Sequence, residues 1–371
     1  MNGAGPFRSR RITGSLILAV VLGLTSLEVS RAVDRTRIGL PSKEDFMTGD
    51  WGGLRTPWSG LGIDLGLTYS IAGYASVAGG RKRGAVLEGT GDFNFDLDFE
   101  KLSGWDGLRF HFSSIAAHGP GISERYVGDV NIISDYDPYD SLYLHEVWLE
   151  KSWFDRKLKV RAGKISADME FPICSYADTI PLPLYPTGAP GMRVYFEPYS
   201  TIFFQAAAYA GDPYEPGRFL NRHGTYVRIA RGDGATLIGE AGSNIGYAAD
   251  SKIPSGTWKF GVYHSTRDYR DVFNGARRRG NHGFYLNGDQ TIWSENPKDK
   301  NDLQGLALYV VAEYAPPDRN SYHYGFGGGP YYTGLWPGRD ADMLYVNLLY
   351  TRFSPDYAES VMPAGGGNPI F

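Results

Sequence analysis

Residues 91–113 read GDFNFDLDFEKLSGWDGLRFHFS, and their pattern decides the fold class. Phe93, Phe95, Leu97 and Phe99 alternate with Asp92, Asn94, Asp96 and Asp98, a period of two that a strand converts into one apolar and one acidic face. After 101–107, which carries Gly104 and Gly107 and reads as a tight connection, Leu108, Phe110 and Phe112 alternate with Arg109, His111 and Ser113. The two runs form a hairpin with one greasy and one charged face. Two architectures use such a hairpin. A water-soluble sandwich buries the greasy face, whereas a transmembrane barrel turns it toward lipid and lines a wet lumen with the charges.

The start of the chain reads as an export signal. Arg8, Arg10 and Arg11 precede an apolar run of about ten residues at 15–24, and Ser30-Arg31-Ala32 is a small-x-small cleavage site before Val33. That run is too short for a spanning helix, and no second run is long enough, so entry into a membrane has to be by strands. The pair Arg10-Arg11 admits a twin-arginine reading or plain n-region charge. A net charge of −4 over 371 residues gives no electrostatic footprint for nucleic acid. The single cysteine, Cys174, excludes an internal disulfide and reads as a space-filler.

Downstream of a polar stretch at 33–45, residues 48–62 suit one or two helical turns capped by Asp50, with Leu54 and Trp58 on one side. Leu61, Ile63, Leu65, Leu67, Tyr69 and Ile71 then alternate with small or polar residues. This run of about eleven residues suits a barrel strand, which needs about 9–11, better than a soluble strand of about 5–6. Further strand patterns fall at 142–151, 158–164, 192–197, 201–210, 258–264, 303–314 and 343–353, while glycine and arginine interrupt every run between about 211 and 300. Connections alternate between short, as at 154–157, and long, as at 165–191, the outer-membrane pattern. Trp105, Trp153, Tyr199, Tyr209, Tyr314 and Trp336 fall near strand ends, where an interfacial aromatic girdle belongs, although aromatics also cap soluble cores. A lipid-facing Lys or Arg costs about 2–4 kcal/mol at the bilayer midplane, so the charged rows have to line water. The organisation expected is a signal at 1–32, an N-terminal periplasmic or lumenal segment with a short helix at 33–60, and an all-β, antiparallel transmembrane barrel over 61–371.

TGDWGGLRTPWSGLGIDLGLTYS (48–70), FNFDLDFEKLSGWDGLRFHF (93–112), VGDVNIIS (127–134), LYLHEVWLEKSWFDRKLKVRAGK (142–164) and Asp168-Met-Glu-Phe171 are similar, in that order, to motifs of the OprB-type carbohydrate-selective porins. The similarity covers most of 48–210 and is looser from about 250 onward. It implies an outer-membrane barrel of about 16 strands whose constriction carries arginines, acids and aromatics that favour sugars over simple ions. Phe371 has the chemistry of a barrel-closing residue, but 362–369 has no alternation and does not read as the closing strand. Either the chain is truncated, or closure uses weaker strands.

On this reading Arg109, Glu146, Trp148, Glu150, Arg161 and Lys164 line the pore, with Asp96 and Asp98 behind them. If His145, Val147 and Leu149 face outward, Glu146, Trp148 and Glu150 point inward, placing an indole between two carboxylates. An indole can stack on the C–H face of a pyranose while Glu and Arg bond its hydroxyls. The alternative places Trp148 toward lipid or under a loop. Asp50, Trp51 and Arg55 sit inside the barrel or against its periplasmic rim. The row from Asp92 to Glu100 has Leu97 where a calcium loop needs glycine, and no nucleophile elbow, phosphate loop or metal-spaced histidine pair is present. The function expected is passive diffusion of mono- or small oligosaccharides across a bacterial outer membrane, with sugars as solutes, outer-membrane lipid as surroundings, and no enzyme activity, metal or cofactor. The rival is a secreted β-sandwich that binds or cleaves polysaccharide.

Overall fold

A computed structural model of the chain describes residues 15–21, 48–128, 141–171, 188–211, 221–230, 232–246, 251, 253–299, 302–340 and 342–361. They form one antiparallel sheet of fourteen strands. In chain order the elements are β1 (Ser15–Val21), α1 (Arg55–Leu61), β2 (Ile63–Ser76), β3 (Gly84–Asp98), α2 (Phe99–Ser103), β4 (Leu108–His118), β5 (Ser141–Trp153), β6 (Leu158–Ile165), β7 (Ala189–Tyr199), β8 (Ile202–Ala210), β9 (Ala235–Ile245), β10 (Gly256–Arg270), β11 (Arg277–Ser294), β12 (Gly305–Tyr314), β13 (Tyr322–Thr333), β14 (Met343–Phe353) and α3 (Pro355–Val361). From β2 to β14 every strand pairs with its neighbours in sequence, an up-and-down meander. β1 runs antiparallel to β14, from Ser15 opposite Thr351 to Val21 opposite Tyr345. The sheet edges are therefore β1 and β2, and they do not pair with each other among the described residues. The closing strand questioned at 362–369 lies outside those residues, as do Cys174 and most of the 127–134 motif.

The two faces are the reverse of a soluble core. In β8, Phe203, Gln205, Ala207 and Tyr209 are buried while Ile202 and Phe204 are exposed. In β12, Ala307, Tyr309 and Val311 are buried while Leu308 and Val310 are exposed. Across the sheet the exposed row is apolar, as at Leu87, Phe93, Leu149, Phe260, Phe284 and Phe326, and the buried row holds Glu88, Glu150, Lys159, Arg193, Glu240 and Lys259. The sheet curls around its polar side. An apolar exterior of this extent is a membrane or partner surface, and the charged neighbours of the phenylalanines face the interior, as the 91–113 pattern requires.

Three local expectations are corrected. Phe99 does not extend the outward row, because β3 ends at Asp98, whose carboxylate accepts the backbone N–H of Glu100 at 3.1 Å and caps α2. The tight connection expected there is thus a helical turn, with Phe99 near Trp105 at 6.1 Å. Tyr209 does not join a girdle; it is 2% exposed, inside, against Phe171. His145, expected outward, is buried, because a β-bulge at Ser113/Ser114 shifts the β4–β5 register there. By contrast, Trp105, Trp153, Tyr199 and Trp336 are all exposed and all lie at the same end of the sheet. The segment before β2 sits at that end too. Asp50 accepts from the backbone N–H of Thr56 at 2.9 Å, and Arg55 donates to Leu65 O at 3.0 Å on the edge strand β2.

Loop lengths are asymmetric only in the first half. Connections 119–140, 166–188 and 211–234 are at one end, against 154–157 and 200–201 at the other; later connections are of similar size at both ends.

Candidate functional site: an inward ladder of paired charges

One inward row runs across five strands in direct register: Asp98 opposite Arg109, Arg109 opposite Glu150, Glu150 opposite Arg161, and Arg161 opposite Arg193. Period-two alternation in each strand puts these side chains on the same face, and opposite charges across a ladder attract. Arg109 and Asp98 approach at 3.9 Å. Glu150 accepts from Arg161 at 2.9 Å and from Arg193 at 3.2 Å. The sign alternation fails at Arg161 and Arg193, two like charges side by side.

A carboxylate from outside the sheet completes it. After β6 the chain turns inward, with Phe171 N–H donating to Ala167 O at 2.9 Å, and brings Glu170 between the two guanidiniums, with which it forms close ion pairs. The turn is anchored at both ends. Glu146 accepts the Ser166 backbone N–H at 2.9 Å, and Gln205 donates to Glu170 O at 2.7 Å. Ala167 and Phe171 pack with Ile165, Ala207, Tyr209, Ile238 and Tyr285 into an apolar cluster inside the curl. The network continues along the wall, where Gln205 and Tyr285 donate to Glu240 at 2.8 and 2.7 Å. Two arginines and two glutamates, none more than 15% exposed, make a neutral but charge-dense cluster on the inner face of the sheet.

The next inward row is aromatic. Asp96 contacts His111 at 2.7 Å; the His111 ring stacks on Trp148 at 4.7 Å between centroids and 21°, and the Arg161 guanidinium lies 3.6 Å from the Trp148 ring centroid. His111 comes from β4 and Arg161 from β6, so the indole is held between them, with its N–H pointing to Glu146 at 3.5 Å. Gly163 stands opposite Trp148, and a side chain there would meet the Val147 carbonyl oxygen at 2.2 Å. Its φ of +149° likewise suits glycine.

The family model for the carbohydrate-selective porin, OprB family, matches residues 82–362. The chain belongs to that family. Porin B of Pseudomonas aeruginosa is 25% identical over 384 residues, covering 93% of this chain and 81% of its own. The high-pH structure of Pseudomonas putida OprB superposes with a TM-score of 0.70 at 20% identity, over 85% of this chain and 81% of that one. The low-pH structure gives 0.54 at 18% identity, over 82% of each chain. The protein is therefore an outer-membrane, β-barrel porin of a family of channels rather than of enzymes.

Within this porin the fold gathers Glu146, Trp148, Glu150 and Arg161 into one network, with Asp96 joined through His111 and with Arg109 and Asp98 at the end of the charge row. Lys164 stands apart. It is 4% exposed and donates to the carbonyls of Leu144 and His145 at 2.7 and 2.6 Å, tying down the bulge in β5. The sequence reading did not single out Glu170, Arg193, Gln205, Glu240 or Tyr285. Arg193 was within reach, because it alternates with Tyr195 and Glu197 along a recognised strand. Glu170 lies within the quoted Asp168–Phe171 motif, but nothing in a turn sequence says that the turn folds inward.

Proposed function

We propose that this porin passes neutral monosaccharides and small oligosaccharides passively into the periplasm, and that the ladder formed by Glu150, Arg161, Arg193 and Glu170 is its selectivity element. The observation that carries this reading is the compensated arginine pair. Each guanidinium has five donors in a rigid fork, and the carboxylates occupy only some of them. The remainder can bond sugar hydroxyls, while the balanced charge gives a simple ion little net field to follow. Contacts of this kind are weak and multiple, as a conducting site needs if solutes are to leave as readily as they enter.

Trp148 acts here by orienting Arg161 and His111. A pyranose that stacked on the indole would have to move one of them aside. Arg109, Asp96 and Asp98 extend the polar track, and the exposed apolar rows face lipid. Residues 1–32 act as the cleavable export signal, so the pairing of β1 with β14 belongs to the precursor. The rival reading, a soluble polysaccharide-binding sandwich, requires the phenylalanine rows to be buried, and they are exposed, as at Phe93, or half-exposed, as at Phe95, Phe110 and Phe112. Liposome swelling tests the proposal: vesicles containing the porin should swell in isotonic monosaccharide at a rate that falls with sugar size. Swelling no faster than in protein-free vesicles would refute it.

A further inference from the structure

At the end of the sheet that carries the long connections, β10 and β11 project past the apolar band and close in the turn 271–276. Moving outward along this pair, exposed Phe260, Val262 and Phe284 give way to exposed His264 opposite His282, then to Asp268 opposite Arg279 and Arg270 opposite Arg277. Residues 266–280 and the adjoining connection 315–321 hold six arginines against three aspartates. The acids are already engaged. Asp268 pairs with Arg277; Asp271 accepts from Arg278 at 2.6 Å; Asp318 accepts from Arg319 at 2.8 Å and lies 3.3 Å from Arg278, which also feels Asp356 of α3. Positive charge is left over: Asp268 is shared between Arg277 and the facing Arg279, and Arg270 stands exposed beside them.

A second observation is independent of the count. Arg270 and Arg277 stand directly opposite each other on paired strands, a like-charge placement that weakens a ladder unless an anion lies between them. Unlike Arg161 and Arg193, this pair has no second carboxylate folded over it among the described residues. Outer-membrane barrels carry short turns on the periplasmic side and long loops outside, which puts this arginine rim at the outer leaflet, immediately above the lipid-facing band.

We infer that the Arg270–Arg277–Arg279 rim binds the phosphates of the outer leaflet's glycolipid, the lipid A portion of lipopolysaccharide, seating a phosphorylated sugar headgroup above Phe260 and Phe284. The guanidinium fork matches a phosphate bidentately, and the acyl chains continue down the apolar strand faces. The inference rests on the membrane orientation in the proposed function, but not on which solute passes.

The folded porin in detergent, titrated with bisphosphorylated lipid A and with the same lipid stripped of both phosphates, tests this by native mass spectrometry. Wild-type protein should hold the phosphorylated lipid at least tenfold more tightly, and the triple variant Arg270→Gln, Arg277→Gln, Arg279→Gln should lose that preference while its single-channel conductance is unchanged. Equal binding of the two lipids by wild type overturns the inference whether or not the variant folds. A preference retained by the folded variant also overturns it. Conductance, read separately, keeps a failure here distinct from a failure of the transport reading.

Discussion

Arg161 and Arg193 face each other directly across β6 and β7, and both Glu150 and Glu170 accept hydrogen bonds from both of them. Glu150 belongs to the sheet, but Glu170 arrives on an inturned segment. The charge balance of this cluster therefore depends on a turn staying folded against the polar side of the sheet. Coupling runs both ways: the arginines hold the loop, and the loop neutralises the arginines.

Glu170→Gln keeps the shape and removes one negative charge. The channel should shift toward anions in a salt-gradient reversal-potential measurement. Its barrel should lose about 1–3 kcal/mol of stability, the usual consequence of leaving buried charged donors short of a partner. An unchanged reversal potential would remove Glu170 from the selectivity element.

Trp148→Ala takes away the plate between His111 and Arg161. Sugar block of ion current should weaken, because the guanidinium loses its fixed orientation, while ion conductance stays similar or rises. Unchanged block in the variant would show that Arg161 needs no help from the indole.

These predictions rest on a fold that was largely legible. The 91–113 alternation gave a strand pair with the correct faces, and every run proposed from an alternating pattern overlaps an observed strand, with Leu61 and Phe99 falling instead in the flanking helical turns. β9, β11 and β13 were not recognised, and the reason is physical. Their glycines, which weaken a strand pattern read alone, leave room for the neighbouring strand: aromatic rings in β9 and β11, and Leu349 and backbone carbonyls in β13. A side chain on Gly242 of β9 would meet the Phe203 ring at 2.0 Å, and one on Gly283 of β11 the Tyr263 ring at 2.6 Å; Gly261 of β10 makes the same trade with the Tyr285 ring at 2.1 Å. Such cross-strand compensation is invisible until the register is known. The site was half legible for a related reason: residues contributed by strands follow period two, whereas Glu170 depends on where a turn goes.

Gly261→Val tests that compensation. The added methyls should push Tyr285 off Glu240, to which it donates at 2.7 Å, and cost about 1–3 kcal/mol of stability by overpacking. A lowered unfolding temperature of the barrel on heat-modifiability gels is the expected result.

The rim turn should respond to acid. Asp271 sits outside the spanning strands, and hydrogen bonds from Arg278 and from the backbone N–H groups of Asn274 and Phe273 hold its carboxyl below the usual aspartate value of 3.8. A depressed acid stabilises the folded turn above its unfolded pKa and loses that contribution as pH falls through the folded value. Amide exchange at Phe273 and Asn274 should accelerate below pH 3.8 relative to neutral pH, after correction for intrinsic rates. In Asp271→Asn that acid-dependent step should vanish.

The central claim, that the polar side of the sheet lines a wet passage in which sugars meet the arginine ladder, is tested most directly in a planar bilayer. Purified porin should give discrete conductance steps that a neutral sugar blocks reversibly and in proportion to its concentration, and Arg161→Gln should weaken that block. A closed barrel, or an open one whose current ignores sugar, would contradict the account.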